Sequence, residues 1–143
     1  MKILKQKEEI KNKKQEERTK TKKVHYFRDL SERLLDFVVQ TIKFLRTLPH
    51  DKEYDVFRYQ LSKSSSSIGA NYEESQACTK NEFKQRISIC LRESRETNYW
   101  FKVIDALALG DENKRKSLLR ESHEIKLIFG SIHTKCFKGR QDE

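Results

Sequence analysis

Glu93 and Glu96 stand three residues apart on a helical pattern. With four histidines, three cysteines and the serine run Ser64-Ser65-Ser66-Ser67 they complete the side chains that could do covalent or metal chemistry. Paired carboxylates inside a helical bundle suit a di-metal centre, which also needs Glu-x-x-His pairs on two helices. No Glu-x-x-His occurs in the chain. His25, His50, His123 and His133 are scattered, form no i, i+4 pair and assemble no nucleophile constellation with a Ser or Cys. Cys78, Cys90 and Cys136 are odd in number and contain no Cys-x-x-Cys, which points to neither a disulfide framework nor a zinc site. They read as small core residues in a reducing compartment. The serine run lacks the Gly-x-x-x-x-Gly-Lys pattern that cradles phosphate. The expectation is a protein that is not an enzyme, with no catalytic, cofactor-binding or metal residues.

The basic side chains offer a different chemistry. Lys+Arg number 31 against 22 Asp+Glu, a formal charge of +9, and the excess is uneven. Residues 1 to 23 carry ten basic groups, among them Lys11, Lys13, Lys14, Lys20, Lys22 and Lys23, against Glu8, Glu9, Glu16 and Glu17. Lys84, Arg95 and Lys102 are spaced to share one helical face, and Lys114, Arg115, Lys116 and Arg120 cluster further on. Such groups hold phosphates without reading bases. A charged helical face is more often only a solvated one, and a basic tail also serves solubility. A polyanion such as nucleic acid is the partner these residues suggest; RNA is the nucleic acid expected.

The elements that must carry them are helices. One Pro and four Gly in 143 residues are too few for a turn-rich β fold. Residues 1 to 23 show almost no apolar periodicity and read as a disordered or solvated-helical arm, basic and flexible. From about 25 to 47, Phe27, Leu30, Leu34, Val38, Leu45 and Leu48, widened by Phe37 and Ile42, mark an amphipathic helix. Pro49 ends it, and Asp51 can cap the next. Helix two runs to about Ala77 with Tyr54, Phe57, Leu61, Ser64 or Ser65, Ile68, Tyr72 and Ser75. Its serine run, followed by Gly69-Ala70, is poor helix on propensity. The continuing heptad favours close packing of a neighbouring helix over a linker.

Helix three, about 80 to 109, steps through Phe83, Ile87, Cys90, Ser94, Thr97, Phe101, Ile104 and Ala108. Thr79 and Glu82 have capping-box spacing, with Cys78 and Phe83 at the staple positions. Gly110 is the expected residue beyond its end. Helix four, about 112 to 137 and capped by Asp111 or Asn113, steps through Leu118, Ser122, Ile125, Phe129, Ile132 and Cys136, and Gly139 ends it. Short loops and sustained heptads together predict an all-α, antiparallel, up-down-up-down left-handed four-helix bundle over 24–138. The arm 1–23 precedes it and a tail 139–143 follows. No run is apolar enough for a membrane span or a signal peptide, so a cytoplasmic protein without membrane contact is expected.

Asn71, Ser94 and Thr97 lie on or beside the apolar stripes. Each could bond a carbonyl one turn back, or join a buried interhelical network that fixes register. Helix three has a second stripe through Ile89, Glu93, Glu96, Trp100, Val103 and Leu107. A lone bundle needs one stripe per helix. Glu93, Glu96, Tyr99, Trp100 and Val103 are therefore expected at a subunit interface of a homo-oligomer.

Ser67-Ile68-Gly69-Ala70-Asn71-Tyr72-Glu73-Glu74 and Glu96-Thr97-Asn98-Tyr99-Trp100 together resemble the family of proteins encoded in intervening sequences of 23S ribosomal RNA genes. The likeness spans roughly residues 25 to 137. It departs at Ser94, where the motif has Ala, and does not reach the arm. The resemblance implies a four-helix bundle and a homopentamer, and it gives Asn71 a place in the family motif. Related bundles are accessory proteins of reverse transcriptases, which makes a protein-interaction scaffold or accessory subunit the alternative to an RNA-binding protein.

Overall fold

The computed structural model describes residues 1–138, with the side chains of 19–29 outside that description. The expected tail 139–143, Gly139 included, and the side chains of His25, Phe27, Lys20, Lys22 and Lys23 therefore lie outside the described residues. Among the described residues the chain is all-helical: α1 (Lys2–Arg46), α2 (Lys52–Ser75), α3 (Lys80–Ala106) and α4 (Glu112–Phe137). It divides into two compact units, Met1–Arg33 and Leu34–Glu143.

In the first unit, every side chain from Met1 to Arg18 is exposed, on backbone that is helical from Lys2. Of the two readings of the arm, disordered or solvated-helical, the backbone has the second. Lys and Glu are good helix formers, and a helix already begun avoids the nucleation penalty that an isolated segment meets.

In the second unit α3 packs against both α2 and α4. Phe101, fully buried, faces the α1 rings of Phe37 and Phe44 at centroid distances of 6.1 and 6.4 Å. Burial of one such side chain contributes about 1.5–3 kcal/mol. Tyr72 of α2 meets Phe129 of α4 edge-on at 5.9 Å. The buried stripe of α1 runs through Leu34, Phe37, Thr41, Phe44 and Leu45 and continues to Leu48 just beyond its end, while the expected Val38 and Ile42 are only half-buried. Ser64 and Ser65 are both buried in regular helix, and a Cβ on Gly69 would sit 3.7 Å from Leu34 Cβ. Gly69 therefore admits Leu34 of α1 closely, whereas Ser64 faces Thr97 of α3.

The termini follow local chemistry with two exceptions. The Thr79/Glu82 capping box is formed, and Asp111 accepts from the Lys114 N–H at 2.9 Å. Asp51 stands at the N-cap of α2 without a side-chain cap bond. The C′ position of α3 belongs to Ala108, at φ 51°, and not to Gly110. The Ala108 N–H donates to Asp105 O at 3.0 Å and the Leu109 N–H to Ile104 O at 3.2 Å, the paired bonds of a Schellman motif. Cys90 is the one cysteine fully in the core, where burial pushes its thiol up to about 12; Cys78 and Cys136 are half-buried.

Candidate functional site

The polar residues of the core set the positions of the groups around them. Thr97 donates to the Glu93 carbonyl at 2.8 Å, and its Oγ1 lies 2.8 Å from Ser64 Oγ. One hydroxyl has one proton, so Ser64 supplies the donor between helices α2 and α3. Half-buried Asn71 donates to Ser67 O at 2.8 Å and accepts from Arg86 Nη1 at 2.9 Å. Arg86 also pairs with Glu74 at 2.8 Å, which ties α2 to α3 a second time. Ser94 is corrected: it is buried but bonds only Leu91 O one turn back, at 2.8 Å, and joins no interhelical network.

Sequence reasoning missed Asn98. It is 2% exposed, donates to Ser122 Oγ of α4 at 3.0 Å and accepts from Lys126 Nζ at 3.2 Å. The available signal was the spacing Leu91, Ser94, Asn98, Phe101, which places an amide on the side of α3 that meets α4.

Of the expected basic residues, Lys11, Lys13 and Lys14 are exposed on α1, and Arg95 and Lys102 are exposed on α3. Lys84 is half-buried, with Nζ 5.8 Å from the Phe137 ring centroid. Lys114 and Arg120 are exposed on α4. Arg115 is corrected. Its side chain is 7% exposed, it pairs through Nε with Asp105 at 2.9 Å, and it donates through Nη1 to Leu109 O and Gly110 O. That guanidinium closes the α3–α4 loop and is not offered to a ligand. Lys116 also pairs with Asp105, at 2.9 Å, so its charge is partly met.

The structure gathers a further group of basic side chains elsewhere. Between α3 and α4 runs an open groove of about 700 Å³, walled by Leu91 and Arg95 on one side and by Lys126, Gly130, His133 and Lys135 on the other, with Lys138 at its end. None of the described residues lining it is acidic. Burial first, then the charges of Lys102 and Arg95, hold the Lys126 ammonium below the ordinary lysine range. Lys126, Lys135 and Lys138 were not singled out in the sequence, because they are too far apart along the chain to read as a cluster.

The expected interface residues form a second surface. Tyr99 is 59% exposed, and Trp100, Glu93 and Val103 are half-buried. The Trp100 ring packs between Phe57, at 6.0 Å, and Tyr99, at 5.4 Å, and its Nε1–H points to exposed Glu96 at 3.4 Å. Val56, Tyr59 and Leu107 add exposed apolar surface on α2 and after α3. Burial pushes the Glu93 carboxyl up, Glu96 adds to the shift, and Lys63 and Arg92 oppose it. Among the described residues no three His, Cys, Asp or Glu side chains converge as metal ligands, and no helix is long and apolar enough to cross a membrane.

Helices fastened by buried hydroxyls and amides, with a groove lined by cationic side chains, define the class: an all-helical protein. Residues 29–131 match the family model of the 23S rRNA-intervening sequence protein, and the chain belongs to that family. It is similar in structure to a protein of unknown function from the S23 ribosomal protein family of Bacteroides thetaiotaomicron, at 25% identity and a TM-score of 0.67. That match covers 76% of this chain and 97% of the other. No curated protein shows significant similarity to the chain.

Proposed function

We propose that this chain is a non-enzymatic, nucleic-acid-binding protein that holds RNA through lysine and arginine contacts to phosphate and works as a homo-oligomer in the cytoplasm. The observation that carries the reading is the first unit. Residues 1–18 present Lys2, Lys5, Lys7, Lys11, Lys13, Lys14 and Arg18 against four glutamates, all exposed on a helix whose apolar side chains, Met1, Ile3, Leu4 and Ile10, are exposed as well. A solvated helix that carries excess positive charge has a polyanion as its natural partner. The short links between helices further support a left-handed up-down-up-down bundle.

The test is a salt titration of the full chain on one RNA and a scrambled control. Replacing Lys11, Lys13 and Lys14 together by Gln should flatten the slope of log affinity against log salt by about 2, since each phosphate contact to a single strand contributes about 0.7. The loss should be equal for both RNAs, because such contacts position the chain without reading bases. Unchanged slopes would remove the arm from the interface. Failure of the wild type to retain either RNA at moderate salt would favour a protein-interaction scaffold.

The Tyr99–Trp100 surface supports the oligomeric part of the proposal, because aromatic anchors with charged neighbours are common at subunit contacts. Trp100→Glu should yield a smaller species by light scattering while helicity is retained. A wild type that is already monomeric would end this part of the reading; a ring of five is what the family resemblance implies.

A further inference from the structure

We infer that the groove between α3 and α4 is a seat for single-stranded nucleic acid, with phosphates on Arg95, Lys126 and Lys135 and one base stacked on the His133 ring. The inference rests on the proposed function and assigns it a site that the arm does not contain. Three features of the groove support it.

First, the central cation is pre-positioned. Asn98, itself held by Ser122, accepts from Lys126 Nζ and fixes the ammonium at the groove wall. Two of its three N–H donors remain for a ligand. Lys126 forms no ion pair among the described residues, and its neighbours Arg95 and Lys102 add repulsion that a bound phosphate relieves. Second, the groove has a stacking platform. His133 lies on Phe137 at 4.4 Å between centroids, and Lys84 stands against the Phe137 ring. The column holds the imidazole in place, so a base meets a ring already ordered. Third, the groove is of nucleotide size. A volume near 700 Å³ is that of a small-molecule site. It accepts a nucleotide or two, and only the unpaired bases of a single strand are free to splay out and stack on a ring such as His133. Gly130 keeps the floor open: nothing lies within 4 Å of where its Cβ would be, so no packing demand explains a glycine there.

The experiment uses the full chain with a labelled 12-nucleotide oligouridylate and a 12-base-pair RNA duplex. Lys126→Gln combined with Lys135→Gln should weaken oligouridylate binding about tenfold at physiological salt and lower the salt slope by about 1.4. Gln keeps a donor for Asn98, and the Lys126→Arg, Lys135→Arg pair should restore binding. His133→Ala should cost the single strand about tenfold with little change in slope, as loss of one stacked base does. Gly130→Leu, which fills the groove without altering charge, should weaken the single strand as well. Circular dichroism confirms that each variant is folded. If these variants bind like wild type while the Lys11, Lys13, Lys14 variant loses affinity, the groove is not the seat and the general nucleic-acid reading stands. If the wild type binds neither probe, both fall. Equal losses for duplex and single strand, with no effect of His133→Ala, would overturn the single-strand assignment.

Discussion

Gly110→Ala is expected to lower the free energy of unfolding by about 3 kcal/mol, the sum of a left-handed backbone penalty and an overpacked core. Gly110 has φ 70°, and a Cβ there would lie 2.7 Å from Phe44 Cε2, 2.8 Å from Cζ and 3.2 Å from Leu48 Cδ2. Phe44 is 2% exposed and faces Phe101, so its ring has no free space to enter. The residue itself is exposed; only the missing side chain would be buried. Thermal unfolding should show a fall in Tm on the order of 10 °C. Gly110→Asn separates the two causes, since Asn tolerates a left-handed backbone but still carries the Cβ. If Asn is as harmless as Gly, steric contact with Phe44 is not the reason for the glycine. The neighbouring Ala108 gives the opposite sign: it holds φ 51° with a side chain, and Ala108→Gly should stabilise by about 1 kcal/mol.

That pair of positions shows where sequence reading succeeds and where it stops. A glycine after an apolar stripe correctly marks the end of α3, but the C′ role falls to Ala108, because the Schellman bonds close two residues earlier. The stripes of α2 and α3 were legible because heptad spacing survives substitution by small polar residues: Ser64, Ser65, Ser94 and Thr97 are all buried. In α1 the spacing runs through Val38 and Ile42, because periodicity counts apolar residues; the chain instead buries Thr41, with Phe37 and Phe44 on the same stripe. Residues 2–18 carry no apolar pattern, so their helix was invisible to periodicity and follows from propensity and continuity with the rest of α1. The candidate site was the least legible. Arg95 and Lys102 were found because they share a helix face, whereas Lys126 and Lys135 join them only when α4 packs on α3. Arg115 looked like one of four equivalent basic residues until the α3–α4 turn brought Asp105 to it.

Asp105→Asn is expected to destabilise the fold more than Arg115→Leu does, and the reason lies in where the two charges sit. Asp105 is in the last turn of α3 and Arg115 in the opening turns of α4, so each carries the sign its own helix end disfavours. Only their mutual contact at 2.9 Å, with Lys116 on the other carboxylate oxygen and the Leu109 and Gly110 carbonyls on the guanidinium, makes both positions tolerable. Arg115→Leu removes a buried charge, replaces it with apolar volume and leaves Asp105 paired to Lys116, at a cost of about 2 kcal/mol. Asp105→Asn leaves a guanidinium with 7% exposure and no carboxylate, the worse outcome. The double variant should be less harmful than the sum of the singles, the mark of a coupled pair. Hydrogen bonds from Lys116 and Arg115 hold the Asp105 carboxyl below the usual carboxylate range. A group depressed in the folded state stabilises above its unfolded pKa and loses that contribution as pH falls through the folded value. The stability gap between wild type and Asp105→Asn should therefore be constant from about pH 5 to 8 and narrow only below about pH 4. Urea denaturation at pH 3, 5 and 7 measures it; a gap that is already closing between pH 7 and 5 would mean that Asp105 is not the carboxylate that holds the turn.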